Sequence, residues 1–434
     1  MVTTRKNYWI TGFVLCLLLI GLIDYKLWQL RLPIDWFVAV NFASFAYIVS
    51  MIGLSYANPT YGATKRELAK FKVAVVVPVY NEDHVTFRAM LDSLDAQSRQ
   101  PDIVYVIDDG SKTLECRDAF RAWRAQSDIT RCVFIRQQNA GKRSAQAQAF
   151  RRTPDASIYV TVDSDTVLDE RAIEEGLKPF ARREVMAVAG LLLGLNDRKN
   201  LLTRLVDLGF VTSFLNGRAA YSAMHSVAVC CGGLAFYRGD VIRKYLDEYL
   251  NHTVLGVRTT YGDDRLLTNF ALLEGWTVLS EASVGYTLLP ENIKHLTKQR
   301  VRWWRSFFWG SDFLLRRFSM RRLIWWLVAW QMISFCLYTV IVPIALVYLP
   351  IRHHEWPVVY VLYMIALAYA RDARYMSIKR PDQSYWQQLL TYLMAPLSMV
   401  LHVYLCTVLS YWGLASFWKM DWNTRSKIEV GIEA

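Results

Sequence analysis

With 434 residues the chain has room for two or three units of ordinary domain size, and its 53% hydrophobic and 14% aromatic content, at a mean hydropathy of +0.15, is too apolar for an average soluble protein. The formal charge of +12 would suit a nucleic-acid binder, but the basic residues gather beside apolar runs (Arg5 and Lys6, Lys65 and Arg66, residues 316–322 and 371–380), as the positive flanks of membrane segments do. The 7 cysteines are odd in number and lack any CxxC spacing, so neither a disulfide framework nor a structural zinc is indicated and a reduced, cytosolic face is expected.

In chain order, apolar runs at residues 9–28 and 36–55 each approach the ~20 residues of one crossing. No small-residue cleavage site follows the first, so residues 1–56 are expected to form a retained transmembrane hairpin rather than a signal peptide. Residues 71–290 then alternate strand-like and helix-like segments. "KVAVVVPVY", "DIVYVID" and "SIYVTVD" are continuous apolar runs of strand length, separated by helical periodicity in "VTFRAMLDSLDAQ" and "KRSAQAQAFRR". That alternation predicts an α/β domain with a mostly parallel sheet, on the cytosolic side. Residues 291–320 mix Arg, Lys and aromatics as interfacial helices do. Apolar runs resume at 323–349, 358–370 and 389–418, so residues 321–418 are expected to form a C-terminal transmembrane region and 419–434 a cytosolic tail. Pro396 marks the last run as the one with irregular structure.

All three strand candidates end in polar or acidic residues: Asn81, Glu82 and Asp83 after the first, Asp108 and Asp109 after the second, Asp163 and Asp165 after the third. Each alone could be a solvated loop. Together they would line one crevice, because ligands of open parallel sheets bind beyond the carboxyl ends of the strands. An Asp-x-Asp there suits a hard divalent ion such as Mg²⁺, which is held by one or two carboxylates plus substrate phosphates. In "NAGKR", Lys142 and Arg143 open a helix, a place that suits phosphate, although a plain surface pair remains an alternative. In "TTYGDDR", one of Asp263 and Asp264 is expected to be a helix N-cap and the other a general base. "KQRVRWW" sets Gln299, Arg302 and Trp303 on one helical face, where the indole offers a platform for a sugar and the guanidinium a clamp for diphosphate.

The ordered set "VVVPVYNED", "VIDDGS", "NAGKR", "VDSD", "GDDRLLTN" and "QRVRW" resembles the processive family-two glycosyltransferases: cellulose, chitin and hyaluronan synthases. "KRSAQAQAF", "NLLTRLVDL", "NHTVLGVRTTYGDDRLLTN" and "WNTRSK" are most similar to bacterial class I hyaluronan synthases. The resemblance implies a glycosyltransferase-A type cytosolic domain embedded between N- and C-terminal transmembrane and interfacial helices, in a multi-pass cell-membrane protein. It implies that UDP-GlcNAc and UDP-glucuronic acid are the donors, Mg²⁺ or Mn²⁺ the cofactor, and that a growing polysaccharide and the lipid bilayer are partners, with no nucleic acid or obligatory protein partner. Carried over by motif, Asn81, Glu82 and Asp109 would hold uridine, while Lys142 and Asp163 would hold diphosphate, with Gln299 and Arg302 steadying it as it leaves. Asp165, with Asp163, would bind the metal, Asp264 would be the base, and Trp303 and Cys230 would meet the acceptor. Trp422 and Arg425 look like a loop over the nucleotide. The chain departs from the pattern where it reads "CCGG" with Gly233 in place of a proline, and "WNTR" with Asn423 in place of a glycine. The alternatives are a chitin-type or other single-sugar synthase, a transferase to a lipid carrier, and a non-catalytic exporter or scaffold.

Overall fold

The computed structural model describes residues 3–4, 21, 35–353 and 358–420. The first apolar run, apart from Gly21, and the "WNTR" segment with Trp422 and Arg425 lie outside the described residues.

The centre of the molecule is an eight-stranded sheet. Its strands are β1 (Val73–Val79), β2 (Ile103–Asp108), β3 (Cys132–Arg136), β4 (Ile158–Val162), β5 (Thr166–Leu168), β6 (Val185–Gly194), β7 (Leu234–Arg238) and β8 (Trp276–Thr287). They run in the order β3-β2-β1-β4-β7-β6-β8-β5. The β1–β2, β2–β3, β1–β4 and β6–β8 pairs are parallel, and β7 is antiparallel to both of its neighbours, as β5 is to β8. Strands β1, β2 and β4 are buried along their whole length, which is why they read as unbroken apolar runs.

Helices cover both faces and extend the molecule beyond the sheet: α1 (Asp35–Tyr56), α2 (His84–Asp95), α3 (Glu115–Arg124), α4 (Lys142–Arg152), α5 (Ala172–Leu177), α6 (Leu201–Thr212), α7 (Gly239–Asn251), α8 (Asp263–Glu274), α9 (Ile293–Arg317), α10 (Leu323–Pro343), α11 (Val358–Asp372), α12 (Tyr385–Leu393) and α13 (Ala395–Leu414). A π-helical turn, Ser213–Arg218, carries α6 onward into a short helix. The last apolar run is two helices meeting at Met394, with Pro396 in the first turn of the second, where its missing N–H costs nothing. Helix α9 lies along α13, where Trp304 Nε1 donates to the Leu405 carbonyl (2.9 Å) and Arg305 Nε to Ser416 Oγ (2.9 Å). These two bonds hold α9 against α13 and the turn that follows it.

Among the described residues, α13 is the one helix long and apolar enough to cross a membrane, and Ala46–Tyr56 and Leu323–Leu337 are shorter apolar segments.

Candidate active site

The ends of β1, β2 and β4 open into a cavity of about 850 Å³ whose walls include Asp109, Lys142, Asp163, Asp165, Asp264, Gln299, Arg302 and Trp303. Asp109 spends both carboxylate oxygens on the turn before α4. It accepts from the amides of Ala140 and Gly141 (2.9 Å each) and from the Gln137 side chain (2.7 Å). That fixes the first residue of α4, Lys142, with its Nζ 2.6 Å from Asp163 Oδ1 and 3.1 Å from Asp263 Oδ2. Burial opposes the Lys142 charge, but Asp163 and Asp263, with a smaller push from Asp264, outweigh it and hold its pKa above the ordinary lysine range. Arg143 turns away and is buried, donating to the carbonyls of Thr259 (3.2 Å) and Tyr261 (2.8 Å), so it organises the next loop instead of facing the cavity.

Asn81 and Glu82 do not line the cavity. The Asn81 amide donates to Ser111 Oγ (2.9 Å) and its side-chain oxygen accepts from the Lys112 amide (2.9 Å), while Glu82 accepts from Ser164 Oγ (2.7 Å). They tie the end of β1 to the loops that follow β2 and β4.

The acid pair at the start of α8 corrects an expectation. Neither aspartate is the N-cap, because that position is Gly262, in the left-handed region at φ +70°. A Cβ there would also fall 2.6 Å from Trp309 and 2.7 Å from Ser306, so only glycine lets α9 come this close. With the cap made by backbone, Asp263 is free to pair with Lys142. Asp264 lines the cavity, where its Oδ1 accepts from the Arg265 amide (2.7 Å) and, among the described residues, it makes no ion pair. Burial first, and then Asp263, raise its pKa above the usual carboxylate range.

On α9, Gln299, Arg300, Arg302 and Trp303 face the cavity. Trp303 is 36% exposed as a residue, and its ring stacks on Phe210 with centroids 6.1 Å apart. The cysteine on the wall is Cys231. Cys230 is sealed behind it, its amide donating to Thr268 Oγ1 (2.9 Å). A Cβ on Gly232 would sit 3.0 Å from Lys142 Nζ, so "CCGG" brings backbone against the Lys142–Asp163 pair. Sequence reasoning missed Arg300, Phe210, Cys231, Tyr261 and Met420, all of which line the cavity. Arg300 was within reach, since it stands inside the "QRVRW" segment. Tyr261 donates from its hydroxyl to the Lys419 carbonyl (3.0 Å) and Thr260 Oγ1 bonds the Met420 carbonyl, tying the chain after α13 to the loop before α8.

No group of three or more His, Cys, Asp or Glu side chains is placed to hold a metal ion among the described residues. Asp163 and Asp165 on the cavity wall nevertheless fit a hard divalent ion that takes one or two carboxylates and completes its shell with phosphate and water.

A family model described as glycosyltransferase-like family 2 matches residues 70–306. The chain is 33% identical over 390 residues to a hyaluronan synthase of Streptococcus pyogenes serotype M1, covering 88% of this chain and 90% of the relative. It is 34% identical over 281 residues to an N-acetylglucosaminyltransferase of Azorhizobium caulinodans, covering 64% and 70%. Among solved structures, a Pyrobaculum calidifontis mannosyltransferase in complex with GDP-Man and Mn²⁺ aligns with a TM-score of 0.55 at 17% identity, over 94% of this chain and 100% of the other, a likeness of fold.

Proposed function

The chain belongs to glycosyltransferase family 2, and from that premise we propose that it is a membrane-embedded, inverting, processive synthase that builds hyaluronan from UDP-GlcNAc and UDP-glucuronic acid. The observation that carries this is one cavity walled by a carboxylate that makes no ion pair among the described residues (Asp264), a cation–carboxylate group (Lys142, Asp163, Asp165) and an aromatic platform (Trp303).

In this reading the acceptor sugar lies on Trp303 with its hydroxyl toward Asp264. Asp264 takes the hydroxyl proton as the oxygen attacks the donor's anomeric carbon. The bond to the diphosphate breaks on the opposite face, and an α-linked donor yields a β-linkage. Lys142, Gln299 and Arg302 hold the departing UDP, drawing its growing charge into an enclosed site where such contacts are strong. Mg²⁺ or Mn²⁺ held by Asp163 and Asp165 would supply further positive charge to that diphosphate. The raised pKa of Asp264 suits a base, bringing its proton affinity closer to that of the group it must deprotonate. The catalytic domain uses cytosolic UDP-sugars, and the late helices are the route by which the polymer leaves.

A single-sugar, chitin-type synthase is the second reading, favoured by the N-acetylglucosaminyltransferase relative. Released UDP and product size are measured for the purified protein with Mg²⁺ or Mn²⁺ and either donor or both. The expected result is sustained turnover only with both donors, giving a polymer that hyaluronidase cleaves. Polymer from UDP-GlcNAc alone would establish the chitin-type reading instead.

A further inference from the structure

The cavity wall holds a cation the mechanism above does not use. Arg300 stands three residues before Trp303 on α9, its guanidinium 4.2 Å from the centre of the Trp303 ring. Its Nε is sealed from solvent and has no hydrogen-bond partner among the described residues. Close by, Arg218 from the π-helical turn donates to Cys231 Sγ (2.9 Å), to the Val229 carbonyl (3.1 Å) and to Ser213 Oγ (3.1 Å), all neutral atoms. Among the described residues neither guanidinium has a carboxylate within ion-pair reach.

Three more deeply buried guanidiniums among the described residues differ in having a counter-charge or several carbonyl acceptors, although the Nε atoms of Arg143 and Arg374 are unpartnered as well. Arg380 pairs with Asp207 at 2.6 Å, Arg374 pairs with Glu281 at 2.8 Å, and Arg143 is held by carbonyls. Arg300 is half-buried on the cavity wall, and a cation held there without a counter-charge is complementary to an anion from outside. Burial pushes the Arg300 pKa down to about 10, and Arg218 adds to that fall, yet the group stays charged at neutral pH.

Two anions could reach this wall: the donor diphosphate and a carboxylate on the sugar chain. The electrostatic neighbours of Arg300 are Cys406, Cys231 and Arg218, whereas those of Lys142 are Asp163, Asp263 and Asp264. Arg300 therefore belongs to the Trp303 side, where the acceptor rests, and toward α13. We propose that Arg300, with Arg218, recognises the carboxylate of a uronic-acid unit on the acceptor chain and so selects an alternating acidic polymer over a neutral one. The inference rests on the reading that a sugar chain occupies the cavity beside Trp303. A neutral glycan would leave the Arg300 cation on the cavity wall without a counter-charge, and that asymmetry is the source of discrimination.

The test is binding of two labelled probes to the purified full-length protein in detergent: a hyaluronan tetrasaccharide and the same oligosaccharide with its carboxyls reduced to alcohols. The wild type should bind the carboxylate form on the order of tenfold tighter, the scale of one charge-assisted contact. R300Q and R218Q should each weaken the carboxylate probe toward the affinity of the reduced one, and R300K should restore part of the preference. A wild type that binds both probes alike, or neither, overturns the proposal. So does an R300Q protein that loses UDP affinity as much as oligosaccharide affinity, because that assigns the guanidinium to the diphosphate. The readout needs no turnover. Failure of the synthase reading would show as no UDP release from any sugar nucleotide, while failure of this inference would show as lost discrimination in a protein that still releases UDP.

Discussion

Asp263 and Asp264 are adjacent in the chain and meet different surroundings: one pairs with Lys142, and the other faces the cavity with no ion pair among the described residues. In the proposed reading the base is the second. Asp264→Asn is expected to lower the UDP-release rate by about 10²-fold or more while leaving UDP affinity near that of the wild type. An equal loss of UDP affinity would move the residue from chemistry to donor binding. The pH dependence has a definite sign. Because the Asp264 pKa lies above the usual carboxylate value, the rate should fall on acidification at a higher pH than an ordinary aspartate gives. A carboxyl whose folded pKa is raised contributes stability below its unfolded pKa and loses it as pH rises through the folded one. The neutral variant should therefore melt higher than the wild type at neutral pH while being inactive, and calorimetry beside the activity assay checks both. The acid pair was visible in "GDD", yet the assignment of a cap was not. Gly262 makes the turn with its own backbone, and no propensity argument distinguishes that from an aspartate cap before the conformation is known.

Helix α6 carries Phe210, against which Trp303 stacks, and it is anchored by an ion pair from far along the chain. Asp207 Oδ2 accepts from Arg380 Nη1 (2.6 Å) with both side chains fully buried, and Asp207 Oδ1 accepts from the Gly194 amide (2.8 Å) at the end of β6. Removing one partner leaves a buried charge alone, so Arg380→Met should cost about 3–5 kcal/mol, and pairing it with Asp207→Leu should recover most of that. Thermal unfolding of both variants in detergent measures the difference, and a single variant as stable as the double would sink the anchoring role. Asp197, bonded to Gln383 in the same cluster, is pushed up to about 6, by burial first and then by Asp207. Its stability contribution is present below the ordinary carboxylate pKa and declines as pH rises through about 6, so Asp197→Asn should flatten the loss of stability between pH 5 and 7. Strands β1, β2 and β4 were legible because complete burial writes itself as an unbroken apolar run. The pairing of Asp207 with Arg380 was not, since a contact 173 residues apart leaves no periodic trace. The same holds for Phe210, whose place opposite Trp303 comes from two helices meeting through tertiary packing.

At the scale of the whole molecule the chain after α13 returns to the candidate active-site cavity. Met420 lines it, and Tyr261 and Thr260 bond the carbonyls of Lys419 and Met420. Whatever side of the bilayer holds the sugar-nucleotide site also holds residue 420, so in the proposed reading the polypeptide must cross an even number of times between the catalytic domain and the tail. Three apolar runs follow the domain, at 323–349, 358–370 and 389–418, and the last is broken at Met394 into α12 and α13. Helix α12 carries a polar capping box at Ser384 and Gln387, which suits a segment lying at the interface, while α13 has the length and apolarity of a span. In the proposed reading one of the two preceding runs would make the returning crossing. An epitope appended after Ala434 should consequently be cleaved by added protease in inside-out vesicles and protected in intact cells. UDP-sugars added to the same inside-out vesicles should support UDP release without permeabilisation. A tag cut from outside intact cells would separate the tail from the donor side, and with it the proposal that Trp422 and Arg425 close over the nucleotide.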